Sequence, residues 1–248
     1  MSAPSDRNLG KWKEAGAKTT HQNGVVIENS HVVILALKPQ QFQGPWQGAS
    51  RPEGNLFISV MAGMSTKSVE TILEARCSKK QPAVVRTMPN TPIMVGQGAT
   101  VLCPGQFASD WDLKISKLIF GGEHSILNRC QNKIDFFKVG NCLAEQVPEG
   151  MMDAAGALVG CGPAFVYQFL ESMCDGAVAQ GVPRDLANRL TAQMVAGAAK
   201  MVQDTGKHPG LLKDEVCSPA GTTIAGLHAL RRGANFRFAA PFLLLGVL

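Results

Sequence analysis

The sequence has little of what reads nucleic acid. Its 248 residues contain one Tyr, and no basic block alternates with aromatics, although the net charge is +5. Lys and Arg are scattered along the whole length, which suits small anionic ligands better than a polynucleotide. Cysteine pairing is lacking too: the seven Cys are an odd number, and none forms a C-x-x-C pair. Cys77, Cys103, Cys130, Cys142, Cys161, Cys174 and Cys217 mostly sit inside apolar runs, as buried reduced thiols do. A reducing compartment is predicted. His21, His31, His124, His208 and His228 show no ligand spacing with one another or with Cys, so no metal site is predicted. No Ser, His and Asp set can be assembled for nucleophilic catalysis. The tail FLLLGVL is too short to span a bilayer, and MSAPSDRNLGKW lacks an apolar signal core and an Arg-rich amphipathic pattern. These absences predict a soluble, cytoplasmic protein with no membrane or nucleic-acid partner. A mitochondrial address remains the alternative.

What is present is core material. Four apolar runs punctuate the first half: HVVILAL (31–37), NLFISVMA (55–62), AVVRTM (83–88) and GATVLC (98–103). Near-continuous Val, Ile and Leu indicate strands buried on both faces, the mark of a parallel sheet. Between the second and third runs, STKSVETILEAR has Ser65 as a candidate N-cap, with Val69, Ile72 and Leu73 at helical spacing. Strand, helix, strand at this spacing predicts a βαβ crossover and an open α/β sheet. From about Glu149 the texture becomes helical. Pro183 falls at a natural helix start and Gly206 just past a natural end. The boundary is placed between Gln146 and Met151, with one domain over 1–147 and an all-α domain over 148–248. The segments 121–137 and 235–248 fit neither pattern.

Candidate chemistry lies at the strand ends. In open α/β sheets ligands bind beyond the carboxyl ends of the strands, which here carry Lys38-Pro39, Ala62-Gly63 and Pro89-Asn90-Thr91-Pro92. Such residues let a flat ligand lie against the backbone, although any one of them is more often a plain strand stop. Yet no G-x-G-x-x-G occurs in the chain. Near the C-terminus, CSPAGTTIAGLHAL (217–230) runs from small and hydroxyl residues straight into a helical period. A turn so poor in side chain leaves helix N–H groups bare, and bare N–H groups bind anions. His228 reads as a packed or capping residue, and Glu149 on its own as an ordinary first-turn carboxylate.

Three blocks then become recognisable. VVRTMPNTPIMVGQGATV (84–101), the stretch 153–203 containing GCGPAFVYQFLESMCDGAV, and HPGLLKDEVCSPAGTTIAGLHAL (208–230) resemble pyrroline-5-carboxylate reductase. The likeness extends more weakly back through ILALKP to SAPSDRN, in the manner of the animal cytosolic form. The resemblance implies NAD(P)H-dependent reduction of 1-pyrroline-5-carboxylate to L-proline, the last step of proline synthesis. It implies a Rossmann-type domain followed by a helical domain that interleaves with a second copy, the homodimers assembling further. By the same comparison Ser2, Asn23, Ala36, Leu37, Lys38, Pro39, Val60, Met61 and Ala62 match nucleotide contacts. Glu149, Ser218, Gly221, Thr222 and Thr223 match the substrate side, with Thr223 reaching the ring nitrogen as the catalytic residue. Ser2, Ser5 and Arg7 favour the 2′-phosphate of NADPH, and Asp6 leaves NADH as the alternative.

The departures from the family pattern carry expectations of their own. The first strand and its glycine turn are expected upstream of the SAP run and do not occur in the 248 residues. Cys161 stands where the family commonly has Ser, and Ala220 where it commonly has Gly. The segment 121–137 looks inserted, and the tail 235–248 replaces a helix. Polypeptide 1–248 is therefore expected to bind nucleotide weakly and turn over slowly. Two rival readings are a β-hydroxyacid dehydrogenase or imine reductase using Lys200 as its acid, and a dimerising fragment without turnover.

Overall fold

Each of the four apolar runs becomes a strand. The computed structural model describes residues 1–2, 9–43, 54–75, 81–121 and 141–232. Within these, β1 (Val32–Leu35), β2 (Leu56–Ser59), β3 (Ala83–Pro89), β4 (Ala99–Pro104) and β5 (Leu143–Gln146) form one sheet in the order β1-β2-β3-β4-β5. No residue of β2 is more than 3% exposed, because both faces are covered. Alternate side chains point to opposite faces. Phe57 joins Val69 and Leu73 of helix α4 (Thr66–Glu74), whereas Ile58 joins Phe120 of α5 (Asp110–Gly121). The expected crossover is present: β2 and β3 are parallel, and Ser65 caps α4 by accepting from the Ser68 N–H at 3.2 Å. Three short helices, α1 (Gly10–Glu14), α2 (Asn23–Glu28) and α3 (Pro39–Gln43), surround β1 in sequence.

The parallel reading of the fourth run needs correction. β4 runs antiparallel to β3, with Thr87 opposite Leu102. Only a short 3-10 turn (Thr91–Val95) joins the two strands. A parallel return needs a crossover of about a dozen residues or more, so the connection rather than the run's composition sets the direction. β5, which pairs parallel with β4, has no apolar run to announce it, and most of its residues are exposed. The sheet remains parallel-dominated and Rossmann-like. Residues 122–140 and 233–248, which hold nearly all of 121–137 and the whole tail, lie outside the described residues, as do Ser5, Asp6, Arg7, Cys77 and Cys130.

The chain divides into two units, 1–160 and 161–248. The helix α6 (Glu149–Ala179) starts in the first and ends in the second, and it continues through Pro163. A proline there removes one backbone hydrogen bond from the helix interior. In the second unit α7 (Arg184–Thr205), α8 (Pro209–Glu215) and α9 (Thr222–Arg232) follow, and the described residues hold no strand. Pro183 is the N-cap of α7, one residue earlier than expected, and Gly206 ends it at φ 63°. That left-handed conformation suits glycine. Phe165, Val166, Tyr167, Leu190, Met194 and Met201 are each more than 40% exposed, a quantity of wet apolar surface that calls for a partner. No described helix is long and apolar enough to cross a membrane.

Candidate active site

The residues matched to nucleotide contacts gather at one end of the sheet. Ser2 Oγ donates to Asn23 Oδ1 at 2.6 Å, and both residues line a cavity of about 340 Å³ with Ala36, Leu37 and the edge of β1. Its walls are mostly apolar, from Val32, Val33, Ile34 and Leu35 among others. Lys38 and Pro39 follow directly and open α3, with Pro39 at the first helical position, where a missing N–H does no harm. Val60, Met61 and Ala62 leave the carboxyl end of β2, and the Val60 N–H donates to the Leu35 carbonyl at 3.2 Å. That bond sets the two strand ends side by side. The Met61 side chain is buried, so a ligand there would meet backbone, while Ala62 and Gly63 are exposed. Gly63 has φ +73°, a turn that most side chains would strain.

Glu149, in the first turn of α6, sits in a cluster that sequence reasoning missed. Its Oε1 accepts from Arg86 NH1 at 2.6 Å, and its Oε2 accepts from Thr66 Oγ1 at 3.0 Å. The other guanidinium nitrogen, NH2, reaches Asp153 Oδ1 at 2.6 Å. Arg86 is 3% exposed, and its Nε has no hydrogen-bond partner among the described residues. Burial works against its charge, but the bonds to Asp153 and Glu149 outweigh it and raise its pKa. One signal was available: Arg86 interrupts an apolar strand run, and a charge buried in a sheet must be paired. Its partners were not legible, since they lie far along the chain. A substrate atom approaching Glu149 would have to share oxygens already in use.

Cys103 borders the same cluster from β4. Burial first, then the Glu149 carboxylate, pushes its thiol up to about 11 from the ordinary 9.0. The folded chain thus keeps a proton that the unfolded chain releases, so this contribution to stability fades as pH rises through that interval. In native protein at pH ~8, Cys103 should stay unlabelled by a thiol reagent while exposed Cys161 reacts. Peptide mapping after labelling checks this. Modification of Cys103 as fast as Cys161 would show that the cluster opens to solvent.

In the second unit, the small-residue turn is built as the sequence suggested. The Gly221 N–H donates to the Ser218 carbonyl at 3.0 Å, and a Cβ on Gly221 would press to 3.2 Å from Ser218. Thr222 and Thr223 are the first two residues of α9, so their N–H groups have no partner within the helix. Ser218 and Thr222 are exposed and Thr223 is half-buried. Ala220 adopts φ 56°, a left-handed conformation costing a side-chain residue roughly 1–2 kcal/mol. Ala220→Gly removes that strain and returns part of the gain to unfolded-chain entropy, for a net stabilisation of about 0.5–1 kcal/mol. A higher thermal midpoint is expected; a lower one would show that the Cβ makes a useful contact. Lys200, the acid of the rival reading, is engaged on its own helix. Its Nζ pairs with Asp204 Oδ1 at 2.7 Å, one helical turn on, and is well exposed. His228 is exposed on α9.

Comparison with known proteins converges on one family. A family model for pyrroline-5-carboxylate reductase dimerisation matches residues 149–240. Pyrroline-5-carboxylate reductase 3 of Rattus norvegicus is 39% identical over 241 residues, covering 96% of this chain and 79% of the rat protein. Pyrroline-5-carboxylate reductase of Methanosarcina acetivorans is 40% identical over 217 residues, covering 87% and 72%. Among solved structures, the Plasmodium falciparum pyrroline carboxylate reductase with NADP bound aligns with a TM-score of 0.76 at 26% identity, over 99% of this chain and 83% of that one. With identity of this order over most of the rat and archaeal proteins, the chain belongs to the pyrroline-5-carboxylate reductase family.

Proposed function

We propose that the chain reduces 1-pyrroline-5-carboxylate to L-proline with NADPH, NADH being the alternative donor, as the final step of proline biosynthesis. Beside the family membership, one observation carries this reading. The tight turn at Ser218–Gly221 delivers two threonines, backbone N–H groups first, to the start of a helix. A small ring bearing a carboxylate matches that end: the carboxylate on the Thr222 and Thr223 N–H groups, where the helix dipole favours an anion, and the ring nitrogen on the Thr223 hydroxyl. Ser218 and Gly221 shape the turn, and the family resemblance assigns Glu149 to the substrate as well. The cavity beside β1 fits part of a dinucleotide: it is apolar, of the size common for ligand sites, and polar at Ser2 and Asn23.

Ser2, Asn23, Ala36, Leu37 and the turn after β2 would hold the nicotinamide nucleotide, which when bound would supply the hydride taken up by the imine carbon. The chain's own residues orient the ring and leave protonation of the nitrogen undemanding, since reduction turns an imine into a far more basic amine. One hydride and one proton add across the C=N bond, giving proline and the oxidised nucleotide. Orientation of the reactants provides most of the acceleration required. Residues 1–147 serve as the nucleotide domain and 148–248 as the helical substrate and dimerisation domain. The exposed faces of α6 and α7 pair with a second copy, and the assembly works in the cytoplasm. Incubation with pyrroline carboxylate and NADPH should yield proline in step with nucleotide oxidation, and sedimentation should show a dimer or larger. Absence of proline would overturn the catalytic reading, and a micromolar monomer the dimer.

A further inference from the structure

The segment from Val60 to Ser65 joins β2 to α4 and is held at both ends. At its start the Val60 N–H donates to Leu35, the Met61 N–H donates to Ser59 Oγ at 3.3 Å, and Thr87 Oγ1 donates to the Ser59 carbonyl at 3.2 Å. At its end Thr66 donates twice to Glu149 Oε2, from Oγ1 at 3.0 Å and from its N–H at 3.5 Å. Glu149 in turn is fixed by Arg86, and Arg86 also by Asp153, each at 2.6 Å. A line of charge-assisted bonds thus runs from the middle of β3, through the first turn of α6, to the far end of the loop. Such bonds are shorter and stronger than neutral ones, so they define a position rather than merely permit one.

Two features argue that the line serves the loop. Arg86 is nearly fully buried in a strand whose neighbouring positions Val84, Val85 and Thr87 are buried too, and a buried ion pair adds little stability over well-packed apolar groups. Arg86 already holds the first turn of α6 through Glu149 and Asp153, and Thr66 adds to that turn the link to the end of the loop. We propose that Arg86 is a positioning residue for the loop 60–65, acting through Glu149 and Thr66 to set where the nicotinamide end of the nucleotide is held. This rests on the reading in which Val60, Met61 and Ala62 contact the nucleotide.

The test separates the loop from the rest of the cluster. Thr66→Val keeps shape and volume and removes the hydroxyl, leaving the Arg86–Glu149–Asp153 tie in place; Thr66→Ser keeps the hydroxyl. Arg86→Lys keeps charge and loses the two-pronged geometry. NADPH affinity is read by nucleotide fluorescence, the pyrroline carboxylate KM by turnover, and folding by circular dichroism. Thr66→Val and Arg86→Lys should each weaken NADPH binding about fivefold, the worth of roughly one hydrogen bond, with Thr66→Ser near wild type; Thr66→Val, which leaves Glu149 held by Arg86, should keep the substrate KM within about twofold. Unchanged NADPH affinity in a folded Thr66→Val chain would overturn the proposal. So would a loss in Arg86→Lys that follows the unfolded fraction alone, or a parallel rise in the substrate KM of Thr66→Val. A wild-type chain that binds no NADPH would sink the functional reading and this role together; a binding wild type with indifferent variants would sink this role alone.

Discussion

Thr223→Val should lower kcat/KM for pyrroline carboxylate by about 10- to 100-fold while leaving nucleotide affinity and thermal stability nearly unchanged. The magnitude is that of one hydrogen bond whose loss strands a polar ring nitrogen in a closed site, roughly 1–3 kcal/mol. The selectivity comes from where Thr223 sits. It is the second residue of α9, and its hydroxyl has no hydrogen-bond partner among the described residues, so the fold does not draw on it. Val has the same branching at Cβ and nearly the same helix propensity, which removes conformational explanations for a change. The backbone N–H groups of Thr222 and Thr223 survive the substitution, so carboxylate binding should persist and most of the loss should appear in kcat. Steady-state kinetics with a parallel melting curve give the answer. An unchanged kcat/KM would remove Thr223 from the reaction, and a drop of several degrees in the melting midpoint would make its hydroxyl structural.

The elements that could be read from the sequence are those whose burial leaves a local mark. β2 is covered on both faces, so all four of its positions are low in exposure and the run reads as a strand. Helix α4 shows its N-cap at Ser65, and α7 its glycine stop at Gly206. What escaped is set at long range or by what is missing. The direction of β4 depends on the length of the 89–99 connection, and β5 is a short strand with little apolar content. The continuity of α6 runs against Pro163, a residue that ordinarily ends a helix, because the residues on either side keep its remaining hydrogen bonds. The site was legible in unequal parts. The turn before α9 declares itself by its small residues, whereas the bond between Ser2 and Asn23 shows only in the folded chain. Arg86 shows its oddity in sequence but hides its purpose, since Glu149 and Asp153 lie 63 and 67 positions away. Only folding puts them within bonding distance.

That cluster makes an asymmetric prediction for stability. Replacing both carboxylates, Glu149→Ala with Asp153→Ala, should destabilise the chain by about 3 kcal/mol or more, because it leaves a buried guanidinium without an acceptor. Arg86 has no escape through deprotonation, since an arginine stays charged at any accessible pH. It has little escape through movement either, being 3% exposed among packed strand neighbours. Arg86→Met removes the charge itself and fills the same space. The two carboxylates it leaves behind are 35% and 58% exposed and can be solvated where they stand. A cost of at most about 1 kcal/mol is expected, because removal of the buried charge offsets much of the lost bonding. Asp153→Ala alone should lie below about 1 kcal/mol, because Glu149 still balances the guanidinium and Asp153 is mostly in water. Double carboxylate loss is therefore the most costly, ahead of Arg86→Met and of Asp153→Ala, read from urea midpoints at constant m-value. The reverse order for the first two would mean that the carboxylates, not the guanidinium, carry the desolvation burden. It would require the start of α6 to be far more enclosed than the exposure of Glu149 and Asp153 indicates.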